Sequence, residues 1–290
     1  MNPKKALFIK VLANHFNANN PISFFDVLPK EQSDLIQLQD VESEDPKFAF
    51  LNPKKFFDKE IHYSWLKSVL HEYPTHLQKC FIATLPKALH ERIKNLMGLS
   101  DNIPVVNDRM QVFLQTELMK KSGFSEILPK EFIPRTSLSP LLEISKNELL
   151  EVINYLGLFD LAHTIRHVLD KKTLNKIYSC LNVSQQGFLK VALHQKDRIH
   201  FPKLALEKID NAKTMNQQLH RRGLLRLGKS IAMQDRDFIW YLCHKLDTGR
   251  GELLEKYASQ KEKPLVVTIL SQQIQLILRF LFKKKNHNEI

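Results

Sequence analysis

Glycine is the feature of this sequence that most limits its fold, because only 8 of its 290 residues are glycine. Dinucleotide- and phosphate-binding α/β folds, and sheets joined by tight hairpins, need glycine at many turns. The 13 prolines, together with Asn, Asp and Ser, can instead separate helices. Apolar residues also recur at helical spacing over much of the chain. The sequence therefore predicts an all-α, multi-helix globular bundle, either as one body or as two helical layers or subdomains, with no substantial sheet.

Proline and charge divide the chain into three parts. Residues 1–127 are predicted to form helices interrupted by prolines, residues 128–140 a Pro- and Ser-rich crossover, and residues 141–290 a basic helical part. Up to Pro140 there are 18 Lys and Arg against 16 Asp and Glu, and after it 25 against 15. The net charge of +12 is thus concentrated in the C-terminal part. That charge suits nucleic acid, an anionic membrane surface or an acidic protein.

The cysteines and the N-terminal residues both indicate the cellular compartment in which the protein resides. The three cysteines lie far apart in apolar surroundings, which is typical of buried thiols in a reducing compartment. The N-terminal residues carry lysines but no long apolar core and no small-residue cleavage site, so we expect no secretory signal. These features predict a cytoplasmic protein.

The stretch GLLRLGKS matches the phosphate-loop pattern G-x-x-x-x-G-K-[ST]. No hydrophobic strand precedes it, and its variable positions hold strong helix formers. Leu227, Gly228 and Ile231 would fall on one face of a helix. Arg226 and Lys229 would fall on the opposite face. We therefore predict a helix that binds no nucleotide, and in which Gly228 lets another element approach closely.

Arginines within and after the segment HRRGLLRLGK are the candidate partner-binding residues. They are Arg221, Arg222, Arg226 and Arg250. Such a cluster can bind phosphate through counterion release. However, neither a known nucleic-acid-binding motif nor interleaved aromatic residues accompany it. A solvated helix face, a site for an acidic protein partner and a nucleic-acid site all remain open from these residues.

The sequence predicts no catalytic, cofactor-binding or metal-binding residues. His163 and His167, in HTIRH, could bind a metal from one helix face, but no third ligand can be named and we expect both to be exposed. Cys243 follows FIWYL and is expected in the core. The chain has no G-x-S-x-G or kinase-type signature. We therefore expect a non-enzymatic protein without cofactors.

For three helical segments in the second half of the chain, the sequence predicts where the helix begins or ends, or what surrounds it. KNELLEVINYLG is expected to end at Gly157, in the left-handed position that follows a helix. SQQGFLKVALHQ is expected to begin at a serine cap. The apolar segment PLVVTILSQQIQLILRFLFKKK, which begins at Pro264, is long enough to cross a membrane, but its Gln and Arg side chains form a polar stripe that would be costly there. We predict a helix mostly buried in protein, with no transmembrane segment.

Three stretches of the sequence together resemble one known protein family. They are HFNANNPISFFDVLP, residues 15–29, the helical block of residues 149–193, and ILSQQIQLILRFL, residues 269–281. In order, they resemble the opening, the central block and a late helix of the sorting-platform adaptor family of type III secretion, the SctK/YscK family. Within the central block the matching positions are Leu156, Gly157, Leu158, Arg166 and His167. Residues 220–251 have no counterpart and include the basic cluster.

This resemblance implies an all-helical, non-enzymatic protein that is cytoplasmic and peripheral to the inner membrane through protein contacts. Members of the family link the cytosolic, forkhead-associated-like domain of an inner-membrane ring protein to the pod protein of the sorting platform. The resemblance thus predicts these two proteins as partners and no nucleic acid. The alternative that the residues themselves leave open is a basic helical nucleic-acid-binding protein.

Overall fold

The computed structural model describes residues 3–16, 25, 27–38, 57, 60–99, 102–124, 127–195, 199, 201, 204, 206, 209 and 211–288, with the backbone alone at 3–5, 15–16, 131 and 284–288. Every regular element within these residues is a helix, so the predicted all-α class is confirmed. The chain divides into two compact units, residues 1–133 and 134–290. This division lies inside the Pro- and Ser-rich segment 128–140. Most of HFNANNPISFFDVLP lies outside the described residues.

The N-terminal unit is built from helices of 6 to 14 residues, four of which begin at a proline or asparagine cap. Its α-helices are α1 (Pro3–Phe16), α2 (Lys30–Gln37), α3 (Leu66–His71), α4 (Thr75–Ala83), α5 (Lys87–Met97) and α6 (Asp108–Lys121). Pro74 and Pro86 precede α4 and α5, and the Asn107 side chain accepts a hydrogen bond from the backbone N–H of Met110 at the start of α6. α1 packs on α2, and α4 packs on α5 and α6.

The C-terminal unit has longer helices. They are α7 (Pro140–Glu143), α8 (Lys146–Ile165), α9 (Lys171–Ser179), α10 (Val183–His194), α11 (Ala212–Ile231), α12 (Arg236–Lys245), α13 (Thr248–Ala258) and α14 (Pro264–Asn288). α8 lies at the centre and packs on α10, α11 and α14, while α13 covers α11 and α12. This arrangement buries α8 along most of its length, from Leu149 to Ile165.

Two predicted helix ends are wrong. α8 does not end at Gly157 but continues to Ile165, because Gly157 is buried in the middle of the helix and not at a left-handed turn. α10 is capped by Asn182 and not by serine. The Asn182 side chain accepts from the Gln185 backbone N–H, and the Gln185 side chain accepts from the Asn182 N–H, which satisfies two helix-end donors at once.

Glycines allow α8 and α11 to cross with their backbones in contact. A β-carbon on Gly157 would lie 2.1 Å from the carbonyl oxygen of Leu219, and one on Gly223 would lie 1.7 Å from the carbonyl oxygen of Ile153. Any side chain at either position would therefore force the two helices apart. The crossing fixes α11 against the central helix.

Gly228 performs the same role on the side of α11 that faces α13. A β-carbon there would lie 2.3 Å from the β-carbon of Tyr257. The prediction that Gly228 permits a close approach is thus confirmed. The contact places the Tyr257 side chain of α13 beside α11.

The C-terminal helix α14 packs less completely than predicted. Its segment Pro264–Lys283 has a mean hydropathy of 1.7 and the length of a membrane span, and one third of its most apolar window is buried. Val267, Leu270, Gln273, Ile274, Ile277 and Leu278 form the buried face. Thr268, Gln272 and Arg279, members of the predicted polar stripe, are exposed. The helix is thus packed on one face only and is not mostly buried.

Candidate partner-binding pocket

The stretch GLLRLGKS lies in the C-terminal half of α11, so the helical interpretation of the phosphate-loop match is confirmed. Asn211 begins the helix with a capping box, in which its side chain accepts from the Thr214 N–H at 2.9 Å. The backbone N–H groups of a helix interior are bonded to carbonyls of the preceding turn and cannot form a phosphate cradle.

A surface pocket of about 310 Å³ lies between α11 and α13. It is lined by Gln218, Arg221, Arg222, Leu225 and Tyr257. The four α11 residues are spaced i, i+3, i+4 and i+7, so they share one face of the helix. Tyr257 reaches them from α13 because Gly228 lets the two helices approach. Arg221 is exposed and Arg222 half-buried.

Arg226 does not lie on this surface, and the prediction that it does is wrong. Its side chain is 0% exposed. Its Nη2 and Nε donate hydrogen bonds to Asp160 Oδ1 at 2.6 and 3.2 Å, and its Nη1 donates to Gln273 Oε1 at 2.7 Å. Asp160 belongs to α8 and Gln273 to α14, so the guanidinium joins three helices. The turn of α11 that carries Arg226 is therefore covered by protein and not by water.

Aromatic rings complete the surroundings of the buried guanidinium. Its central carbon lies 4.8 Å from the ring centroid of Phe201 and 5.7 Å from that of Phe159. A cation over an aromatic face is attracted to it, more strongly where water is excluded. We call Asp160, Arg226 and Gln273 the buried polar network. Oδ2 of Asp160 is buried and has no hydrogen-bond partner among the described residues.

Arg250 occupies a third environment, away from the pocket lining. It lies in the first turn of α13, where its Nη1 donates to Asp247 Oδ2 at 2.5 Å. Asp247 also caps the helix by accepting from the Arg250 backbone N–H at 3.2 Å. Arg250 is close enough to His220 to contribute, after burial, to lowering the pKa of that imidazole. The four predicted arginines thus divide into two at the pocket, one in the interior and one in a surface ion pair.

The other cation of GLLRLGKS, Lys229, is also internally paired. Its ammonium forms a half-buried ion pair with Glu262 and lies 5.8 Å from the centroid of Phe201. The positive charge that the sequence concentrates around α11 is therefore partly neutralised by Asp160, Asp247 and Glu262. Arg221 and Arg222 are the two cations of this region that line the pocket.

The histidines and cysteine singled out in the sequence lie elsewhere. His167 is exposed as predicted, whereas His163 is half-buried, and their rings lie 5.4 Å apart. Within the described residues there is no group of three or more side chains suited to hold a metal ion. Cys243 is buried, as predicted, and burial raises the pKa of its thiol to about 12. Such a thiol is protonated at neutral pH and is a poor nucleophile.

Sequence reasoning missed the buried polar network, although each member carries a weak signal. Asp160 stands alone among apolar residues in LGLFDLAH, and Arg226 stands among leucines in GLLRLG. Gln273 is the one polar residue that departs from the polar stripe in the apolar stretch of residues 265–282. A lone acid and a lone base in apolar runs are candidates for a buried pair, because neither could be buried without the other.

No protein-family model, no curated protein and no solved structure matches this chain.

Proposed function

We propose that the protein is a non-enzymatic adaptor of a type III secretion sorting platform, which links the cytosolic domain of an inner-membrane ring protein to the pod protein. It would act in the cytoplasm, peripheral to the inner membrane through protein contacts. The proposal starts from the resemblance of three stretches of the sequence to the adaptor family. An all-helical chain with two compact units is compatible with a protein that joins two partners.

The pocket between α11 and α13 is the observation that carries a binding role. Two arginines and a tyrosine converge on one concave surface, and Arg and Tyr are the residue types enriched in the energetic centres of protein interfaces. The helices that hold them are fixed by glycine contacts at Gly223 and Gly228. A rigid surface loses less conformational entropy when a partner binds.

Reconstitution with purified components tests the proposal. The full chain is mixed separately with the ring protein's cytosolic domain and with the pod protein from the same host, and binding is measured by calorimetry. We expect both to bind, and the charge-reversal variant Arg221→Glu/Arg222→Glu to weaken one of the two complexes, since repulsion replaces attraction at the interface.

A nucleic-acid assay provides the opposing outcome. A protein that binds duplex by its basic surface shows a slope of log K against log salt of about −0.9 per phosphate neutralised. Tight duplex binding at ~150 mM salt, lost in the charge-reversal variant, together with no binding to either platform protein, would replace the adaptor by the nucleic-acid-binding alternative.

A further inference from the structure

We infer that the pocket between α11 and α13 binds the carboxylate of a Glu or Asp side chain, flanked by an apolar residue, in a linear segment of the protein partner. The inference rests on the proposed binding role and names the chemistry that the pocket would recognise.

The polar groups of the pocket match a carboxylate. Arg221 and Arg222 both line the pocket, and a guanidinium can bind both oxygens of a carboxylate at once. Gln218 and Tyr257 also line it, and an amide and a phenol hydroxyl can each donate a hydrogen bond. The lining therefore includes side chains from two helices that can donate to an anionic group.

The apolar part of the lining indicates what lies beside that carboxylate. Leu225 and the ring of Tyr257 are half-buried at the same pocket. Their remaining exposed surface can bury an aliphatic or aromatic neighbour, which adds favourable free energy in proportion to the apolar area covered. A volume of about 310 Å³ is at the lower end of the range for ligand pockets, and it suits one or two side chains.

The charges around the pocket favour a peptide over a nucleic acid. The neighbouring cations Arg226, Lys229 and Arg250 are engaged by carboxylates of the protein itself. α13, which supplies Tyr257, exposes two carboxylates, at Glu252 and Glu255, and two cations, at Lys256 and Arg250, so it adds no net positive charge. A nucleic-acid backbone needs several cations in a row to neutralise successive phosphates. A single acidic side chain needs only the two arginines of the pocket.

Fluorescence anisotropy with defined peptides tests this inference without a known partner. The probe is a fluorescein-labelled, amidated hexapeptide of three Glu-Leu repeats, and the matched neutral probe has three Gln-Leu repeats. We expect the acidic probe to bind the full chain and the neutral probe to bind at least about tenfold more weakly. Loss of one charged hydrogen bond corresponds to about that factor.

Matched variants locate the binding site. Arg221→Gln and Arg222→Gln should each weaken the acidic probe about tenfold. Arg236→Gln removes the same charge from an exposed arginine of the same unit and should leave the affinity unchanged. Arg222→Lys keeps the positive charge but lacks the planar guanidinium. Its affinity for the acidic probe should therefore lie between those of the wild type and Arg222→Gln. Unchanged thermal melting of each variant shows that the fold is intact.

Three results would overturn the inference. They are absence of binding by the acidic probe, equal weakening by Arg236→Gln, and tighter binding of duplex DNA than of the peptide with the same dependence on Arg222. Failure of the platform proteins to bind in the reconstitution, with the acidic probe still bound through Arg222, would instead reject the adaptor role and leave the pocket chemistry standing.

Discussion

Arg222 and Arg226 are one turn apart on the same helix, yet they lie in opposite environments. Arg222 lines a solvent-accessible pocket, whereas Arg226 is fully buried between α8, α11 and α14. Helical spacing alone places both on one side of α11. The difference comes from the neighbouring helices, because α8 and α14 cover the turn of α11 that carries Arg226 and supply Asp160 and Gln273. The role of a charged residue in this protein thus depends on which helix packs above it.

The buried polar network and the pocket also differ in the free energy that the loss of one contact should cost. The Arg226 guanidinium has given up its hydration, and its hydrogen bonds to Asp160 and Gln273 offset that loss only while both partners are present. Arg221 at the pocket remains in water and loses little when a neighbour changes. We therefore expect substitutions in the buried polar network to affect folding, and substitutions in the pocket to affect binding.

The largest effect is expected from Asp160→Ala. This substitution leaves the Arg226 charge buried without its anion, and breaking a buried ion pair in this way costs about 4 kcal/mol. The free energy of unfolding, measured by urea denaturation of the full chain, should fall by that amount. A loss below about 1 kcal/mol would show that water replaces the carboxylate and that the network is not dry.

A double variant separates the charge from the packing. Asp160→Leu/Arg226→Met replaces both charges by apolar side chains, so no uncompensated charge remains. Such replacements of buried ion pairs are often neutral or stabilising. We expect the double variant to recover most of the stability that Asp160→Ala loses. If both variants are equally unstable, shape and not charge is the main contribution of the network.

Gly223→Ala should cause a comparable loss in the free energy of unfolding. It tests whether α11, which carries Arg226 and the two pocket arginines, is held in place by its crossing with α8. The new methyl group would lie 1.7 Å from the Ile153 carbonyl oxygen, so the backbones must separate. Overpacking of this kind costs about 3 kcal/mol, at the upper end of the usual range. Pocket binding should weaken as well, because α11 also carries Arg221 and Arg222.

Gly187→Ala is the matched control for the helix crossing. Gly187 lies in α10, and no atom lies within 4 Å of the position that its β-carbon would take. Alanine is a better helix former than glycine by about 1 kcal/mol. The control should therefore raise the free energy of unfolding, whereas Gly223→Ala lowers it. Two changes of the same sign would contradict the close crossing of α8 and α11.

Particular residues show why part of this arrangement could be predicted and part could not. The helical nature of GLLRLGKS and the close approach at Gly228 follow from the spacing of apolar residues, which is a local property. Gly157 was misassigned because a glycine after an apolar helical run is typical of a helix end. Its true role depends on Leu219, which is distant in sequence.

The environment of Arg226 could not be predicted for a related reason. The spacing of leucines shows which side of a helix is apolar, but it does not show whether a second layer covers the other side. Asp160 and Gln273 are 66 and 47 residues away from Arg226 in the chain, so only the tertiary fold brings them together. The sequence predicts no pocket: it singles out Arg221 and Arg222 as part of a basic cluster, but it does not show that Leu225 and Tyr257 lie beside them.

Mild acid should lower the free energy of unfolding of the protein through His244, which lies in α12. Burial lowers the pKa of His244 to about 4, and its ring stacks on Trp240 at 3.9 Å. The unfolded chain binds this proton near its ordinary pKa of about 6.5, while the folded protein does not, so stability falls as the pH falls between these values. The free energy of unfolding should decrease by about 2 kcal/mol from pH 6.5 to 5.

Two histidine variants check the source of that pH dependence. His244→Phe keeps an aromatic ring beside Trp240 but cannot be protonated, so most of the decrease below pH 6.5 should disappear. His194→Gln removes an exposed histidine of the same unit and should leave the pH dependence unchanged. Equal pH dependence in the wild type and His244→Phe would assign the acid sensitivity to other groups, of which His220 is one with a pKa lowered by burial.

Arg221→Gln is expected to have the smallest effect on folding and a large effect on binding. Arg221→Gln removes an exposed charge, and such surface substitutions usually change the free energy of unfolding by less than about 0.5 kcal/mol. The same variant should weaken binding of the acidic probe, because it removes a guanidinium that lines the pocket. Urea denaturation and anisotropy on one protein preparation measure both quantities. A destabilisation of about 2 kcal/mol or more would place Arg221 with the buried polar network, and it would remove the distinction between the two regions of α11.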